Sequence, residues 1–456
     1  MTLPRRALAT SCAAVLLAAL GACTRSPPTG PRANLILISV DTLRADHLGC
    51  YGSSRGASPA IDRLASESWV FDAAYAQSTN TLISHATMLT SLYPPVHGAT
   101  PERRLTDQVT TLPEVLQDAG YRTAAFLGHD IWLTRAMGFA QGFDHFSTRP
   151  VLAEKTNRDV LSWPGLAEDG PFFLFLHYYD VHSRFTQLPY NGGRALNLRF
   201  AGPSPPDFDG CRRGLCASEL LVQANGDSSL LSENELRWVV GLYDAGIAAF
   251  DRRLGQLIDA LEARGVLDTS WIILTADHGE EFREHGLLLH LQPYPSVARV
   301  PLLIRPPGGR EETRVAEIVR HVDLFPTVLD LLRVTPPAGA SPQGRSLVPL
   351  LEGEPNDPRT AVTWGEPMGQ PVALRRGTAT LVLRTVPAVA ELFVRDPVTG
   401  QETRKVAPLI AGRLARNLQR FERMQEQART DLGLVGLPAD LSPAQRQRLR
   451  SLGYVQ

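Results

Sequence analysis

Three apolar runs, each ending in metal-binding side chains, constrain this chain more than any other feature. "NLILISV" (34–40), "PFFLFLHY" (171–178) and "WIILTA" (271–276) read as strands buried on both faces, the pattern of a parallel sheet. Asp41 follows the first, and His177, Asp180 and His182 close the second. Asp277 and His278 follow the third. Ligands of open α/β sheets bind at the carboxyl ends of strands, so these groups are expected to converge there. One carboxylate after a strand is commonly a helix cap; three such sets in one chain point to a site.

The rest of the grammar is α/β. Between the second and third runs lies an amphipathic helix. Ser232 and Glu235 form a capping box at its start, and Leu236, Val239, Val240, Tyr243, Ile247, Phe250, Leu254, Leu257, Ile258 and Leu261 follow at helical spacing. Gly265 ends it. The expected fold is a central, mostly parallel sheet flanked by helices, spanning 34–355. Residues 184–231, rich in Gly, Pro and Asn, read as an insertion loop near the active face. Beyond about residue 350, "PVALRRGTATLVLRTV" and "AELFVRDPVTG" read as antiparallel strands followed by a helix around Pro408–Gln427. These define a smaller C-terminal α+β subdomain (356–430) and a tail (431–456).

Residues 1–22 read as a signal peptide, with Arg5 and Arg6 before a short apolar run. That run ends in Leu20-Gly21-Ala22-Cys23, which resembles the lipobox of bacterial lipoproteins. The resemblance implies lipidation at Cys23, residues 23–33 as a tether, and an exported protein anchored to the bacterial cell envelope. In an oxidising compartment Cys211 and Cys216 can form a disulfide. Cys50 reads as a small buried hydrophobe. The formal net charge is −1, with no long basic run, which argues against a nucleic-acid partner.

"TADHGEEFREHGLLLH" (275–290) places an aspartate oxygen and a histidine nitrogen next to a glycine turn, a set suited to a divalent cation. His290 reads as an active-site group; His285 reads equally well as structural. In "NTLISHATMLTSLYPPVHG" (80–98), Thr81 opens a helix through Met88. It reads both as a nucleophile and as the helix N-cap, among free N–H groups that favour an anion.

"NLILISVDTLRADHLGCYG", the Thr81 region, "GLYDAGIAAFDRRLGQLIDALEARGVLDTSWIILTADHGEEF", "RVPLLIRPPG", "HVDLFPTVLDLL" and "QGRSLVPLLEG" together resemble a sulfatase of the alkaline phosphatase superfamily. That resemblance runs from about Asn34 to Gly353. It implies an alkaline-phosphatase-like fold and one divalent ion (Zn, Ca or Mn) on Asp41, Thr81, Asp277 and His278. It also implies that His182 and His290 hold substrate oxygens, or join Asp180 around a second ion. The substrate class implied is a sulfated or phosphorylated small molecule, lipid or glycan.

Several positions depart from the sulfatase pattern. Thr81, Ile83 and His85 stand where Cys or Ser, Pro and Arg are usual, and Thr42 replaces the second aspartate of an Asp-Asp pair. "LGHDIWL" replaces a Lys- and His-bearing motif, and its His129 reads as a surface histidine. A formylglycine hydrate releases sulfate by re-forming its aldehyde, which a threonine cannot do. A threonine adduct must be opened by attack on the transferred group itself, the normal route of phosphoryl transfer. The Thr-x-x-Ser-His spacing resembles the nucleotide pyrophosphatase/phosphodiesterase branch. The expected activity is therefore ester hydrolysis with Thr81 as nucleophile and phosphodiesters favoured. His85, His182 and His290 are expected to stabilise the oxyanion charge. A transferase acting on envelope lipid or glycan, and a catalytically silent binding lipoprotein, are the alternatives.

Overall fold

The three apolar runs become the three central strands of one sheet, side by side and parallel. The computed structural model describes residues 32–184, 187–354, 357–366, 371–385, 388–396, 402–439 and 443. The signal peptide, Cys23, all but the last residues of the tether, and most of the tail lie outside the described residues. The main sheet consists of β1 (Asn34–Val40), β2 (Trp69–Tyr75), β3 (Arg122–Leu127), β4 (His145–Thr148), β5 (Phe172–Tyr178), β6 (Ser270–Ala276), β7 (Arg299–Val300), β8 (Leu302–Arg305) and β9 (Thr313–Arg320). Its order is β7-β2-β8-β6-β1-β5-β3-β4, with β9 paired to β2.

β1 lies between β5 and β6, with Val40 opposite both Tyr178 and Ala276. That register brings Asp41, His177 and Asp277 to one sheet end. The sheet is mixed rather than purely parallel: β8 runs antiparallel to β2 and β6. The two-residue β7 is also antiparallel to β2. Pro301, which has no N–H to give a ladder, separates β7 from β8.

The helix opened by Thr81 is α1 (Thr81–Thr90), and the long amphipathic helix is α2 (Glu233–Glu262). The Ser232–Glu235 capping box is present, and Leu242, Tyr243, Ile247, Phe250 and Leu254 of α2 are fully buried. Each such aliphatic or aromatic side chain contributes about 1.5–3 kcal/mol on burial. Gly265, at φ +68°, follows the end of α2. The 184–231 segment, expected as a loop, carries two helices, Arg194–Phe200 and Ala217–Ala224. Buried Leu196, Leu220, Leu221 and Ala224 give them an apolar side that the Gly and Pro content had masked. A Cys211–Cys216 disulfide closes the hairpin between them.

The C-terminal part is a meander of β10 (Thr360–Trp364), β11 (Val372–Arg376), β12 (Ala379–Thr385), β13 (Ala388–Arg395) and β14 (Glu402–Lys405). Helix α3 (Pro408–Asp431) packs Leu414 and Leu418 with Tyr93, Val362 and Trp364. This subdomain also braces the segment that leads into α1. The Trp364 N–H donates to the Gln77 carbonyl at 3.0 Å, and the Thr79 N–H donates to the Trp364 carbonyl at 3.1 Å. The chain entering α1 is thereby fixed two residues before Thr81.

Candidate active site

Asn80 decides how Thr81 is presented. Its backbone is extended, and its side-chain oxygen accepts the Leu82 and Ile83 N–H groups at 3.0 and 3.4 Å. Asn80 is therefore the N-cap and Thr81 the first helical residue, which corrects the expectation of a threonine cap. With capping done next door, the Thr81 hydroxyl faces the sheet end. Its Oγ1 lies 3.4 Å from Asp41 Oδ2 and 3.4 Å from His278 Nε2.

Asp277 Oδ1 accepts the backbone N–H groups of His278 (2.9 Å) and Thr42 (3.2 Å). Its Oδ2 lies 3.4 Å from His278 Nε2. His278 Nδ1 faces the Gly279 carbonyl at 3.0 Å. A carbonyl only accepts, so Nδ1 carries the proton and Nε2 offers a lone pair. Thr42 holds this turn with φ +57°, and its carbonyl accepts the Tyr243 hydroxyl of α2 at 2.7 Å.

Asp41, Asp277 and His278 are wholly buried, and their ligand atoms lie within 4.8 Å of one another. Asp41 Oδ1 and Asp277 Oδ2 have no hydrogen-bond donor. Burial, then the neighbouring Asp277 charge, push the Asp41 carboxyl well above its usual range. Two carboxylates crowded in a buried site with unsatisfied oxygens fit a divalent cation, whose charge would cancel theirs.

His85 is differently placed from the expectation. Its Nδ1 donates to the Thr81 carbonyl at 2.7 Å, and its Nε2 accepts from Ser39 Oγ at 2.8 Å. Burial, then His177, hold it neutral, with a pKa of about 3. With both nitrogens engaged it braces the first turn of α1, and the oxyanion role expected of it does not fit. Ser84 is similarly structural, donating to the Asp277 carbonyl at 2.7 Å.

Among the described residues, Asp180 belongs to no group of ligand atoms close enough to hold an ion. Its carboxylate accepts the Ala153 N–H at 3.0 and 3.1 Å, at the start of the helix Ala153–Leu161. His182 and His290 do come together, with ring centres 5.3 Å apart, and the His290 ring is 4.4 Å from that of His278. His182 stacks on Tyr179 at 4.2 Å. Its Nδ1 faces the Ser183 carbonyl, while its Nε2 faces the Tyr179 hydroxyl at 3.3 Å. His129, expected at the surface, is buried 4.6 Å from the Tyr179 ring, and its Nδ1 accepts the Ile131 N–H at 3.0 Å. His285 lies flat on Tyr294 at 3.7 Å, a packing role.

Three contributors escaped the sequence reading. Glu280 holds His290 Nδ1 at 3.0 Å through Oε1, and its Oε2 accepts the Tyr190 hydroxyl at 2.8 Å. Tyr190 thereby ties the inserted segment to the site. Glu280 stands two residues after His278, so its place in the motif was the available signal. Asn80 and Tyr190 carried none, because an N-cap one residue earlier and a contact across ninety positions have no local pattern.

A mixed sheet with Asp, Thr, Asp and His converging at its strand ends defines an ester hydrolase of the alkaline phosphatase type. The match to the sulfatase family model over residues 33–334 places it more narrowly: the chain belongs to the sulfatase family, hydrolases of sulfate or phosphate esters within that superfamily. It is 25% identical over 412 residues to N-acetylglucosamine-6-O-sulfatase of Bacteroides thetaiotaomicron, covering 72% of each chain. It is 24% identical over 373 residues to the Delta 4,5-hexuronate-2-O-sulfatase of the same organism, covering 74% of this chain and 75% of the relative. The fold is similar to that of the phosphonate monoester hydrolase of Agrobacterium radiobacter. That alignment has a TM-score of 0.66 and 20% identity, and it covers 87% of this chain and 96% of the other.

Proposed function

We propose a metal-dependent phosphodiester hydrolase in which Thr81 is the nucleophile. The observation that carries this reading is the placement of Thr81 Oγ1 at 3.4 Å from both Asp41 Oδ2 and His278 Nε2. Asp41, Thr81, Asp277 and His278 would hold a divalent ion, which would lower the hydroxyl pKa and neutralise charge on the transferring group.

The chain's own residues supply the rest. Asp41 Oδ2 is the acceptor for the Thr81 proton. Thr81 Oγ1 bonds to phosphorus in line as the bond to the leaving oxygen breaks. Glu280 fixes His290 with Nδ1 as donor and stabilises any positive charge on that ring, so a proton held at Nε2 can pass to the leaving alkoxide. His182 stands beside His290, with ring centres 5.3 Å apart, and is kept neutral by burial and by that neighbour. Water then attacks the phosphorus of the Thr81 adduct and gives its proton to His290, while the Thr81 Oγ1–phosphorus bond breaks, the Asp41 proton returns to Thr81 and the phosphomonoester leaves.

Sulfate ester hydrolysis is the second reading, supported by the similarity to the two sugar sulfatases. It requires direct attack on sulfur, because Thr81 has no aldehyde to re-form. The N-terminal pattern supports a further element of the proposal, an exported enzyme anchored by lipid on Cys23. The test is turnover of aryl phosphodiester, phosphomonoester and sulfate ester by metal-loaded protein and by Thr81→Ala. Fastest diester cleavage, lost in the variant, is the expected result. Faster, Thr81-dependent sulfate release would overturn the phosphodiester preference.

A further inference from the structure

We propose that His177 is a fifth ligand of the same divalent ion, and that it makes the site select a nitrogen-preferring metal over calcium. This rests on the reading that Asp41, Thr81, Asp277 and His278 hold that ion. His177 is the penultimate residue of β5, paired with Ser39 of β1, and is wholly buried. Its Nε2 lies 3.3 Å from Asp41 Oδ2.

That spacing continues the series around the site. Asp41 Oδ2 to Thr81 Oγ1, Thr81 Oγ1 to His278 Nε2, and His278 Nε2 to Asp277 Oδ2 are each 3.4 Å. Ligands bonded to one first-row ion at about 2.1 Å stand roughly 3.0–3.4 Å apart. His177 also belongs to a group with His85 and Asp277 whose ligand atoms lie within 4.8 Å of one another. His177 thus adjoins this donor series at Asp41 and again at Asp277.

Neither His177 ring nitrogen has a hydrogen-bond partner of good geometry, although the ring lies against the Ser39 backbone. A buried imidazole nitrogen left without a partner is costly. A cation satisfies it directly. Metal-bound histidines commonly turn their other nitrogen to a backbone carbonyl, the arrangement the Ser39 contact offers.

A separate ion on His85, His177 and Asp277 fits less well. Both His85 nitrogens are already engaged, by the Thr81 carbonyl and the Ser39 hydroxyl. Asp41 and Asp277 also balance only one divalent charge, and a second ion would leave uncompensated charge in a buried site. With His177 included, the set holds two imidazole nitrogens. Calcium takes oxygen ligands, whereas zinc and its neighbours accept imidazole readily.

The test uses the full chain, stripped with chelator and reloaded with zinc. Metal analysis gives the stoichiometry, and X-ray absorption gives the number of imidazoles bound. The expected result is one zinc per chain with two imidazoles, falling to one in His177→Gln. Zinc affinity should fall at least ten-fold in that variant, with calcium affinity little changed. One imidazole in the wild-type spectrum overturns the proposal without requiring any variant to fold. So does an unchanged zinc affinity in His177→Gln, or two ions per chain; absence of any bound ion would sink the underlying metal reading as well.

Discussion

The Asn80 side chain accepts the Leu82 N–H at 3.0 Å, and this leaves the Thr81 hydroxyl free to face Asp41 and His278. On the proposed mechanism, capping and chemistry are divided between adjacent residues. Asn80→Ala should therefore cost about 1 kcal/mol of stability. It should also lower kcat by roughly ten- to a hundred-fold through misplacement of Thr81, with KM little moved. Denaturant melts and steady-state kinetics on the same variant separate the two effects. Loss of stability with unchanged kcat would show that Asn80 only caps.

Removal of metal should destabilise the fold, because Asp41 and Asp277 then face each other in a wholly buried site. An ion at a hundred times its Kd contributes about 2.7 kcal/mol to the folded state. Thermal melts of apo and reloaded protein read this as a concentration-dependent rise in Tm. The rise should vanish in an Asp41→Asn, Asp277→Asn double variant.

Asp251 sets a pH dependence away from the site. It is buried on α2 and accepts the Ala60 and Ile61 N–H groups at 2.9 and 2.8 Å, yet burial raises its pKa to about 6. The folded state then holds a proton that the unfolded state has released, so stability falls as pH rises. The contribution is complete below about pH 4 and is lost on passing through pH 6, on the order of 2–3 kcal/mol at most. Asp251→Asn should flatten this part of the stability–pH curve in urea melts. An unchanged curve would place the titration elsewhere.

The Cys211–Cys216 disulfide closes a hairpin that runs into the helix Ala217–Ala224. A loop this short contributes about 2 kcal/mol on chain-entropy grounds. Reduction, or Cys211→Ser with Cys216→Ser, should lower stability by that amount. Hydrogen exchange should quicken in the inserted segment, with little change at β1.

The three central strands were legible because buried parallel strands are continuously apolar, and the candidate ligand cluster because its residues sit directly at the strand ends. Helix α2 announced itself by period and capping box. The antiparallel β8 was not legible, since an apolar run looks the same in either direction. The helices of the inserted segment were hidden for a related reason: their apolar residues are few and lie among Gly and Pro. At the site, spacing alone could not reveal that Asp180 serves the Ala153 backbone or that His85 has both nitrogens engaged. Those facts belong to tertiary geometry.

The central claim is that Thr81 itself bonds to the transferred group. The most direct measurement is acid quench during turnover of an aryl phosphodiester, followed by peptide mass mapping. The prediction is a substituted phosphoryl group on the peptide carrying Thr81, at the threonine oxygen, and no such mass in Thr81→Ala. Turnover that persists in Thr81→Ala, or an adduct on another residue, would contradict it.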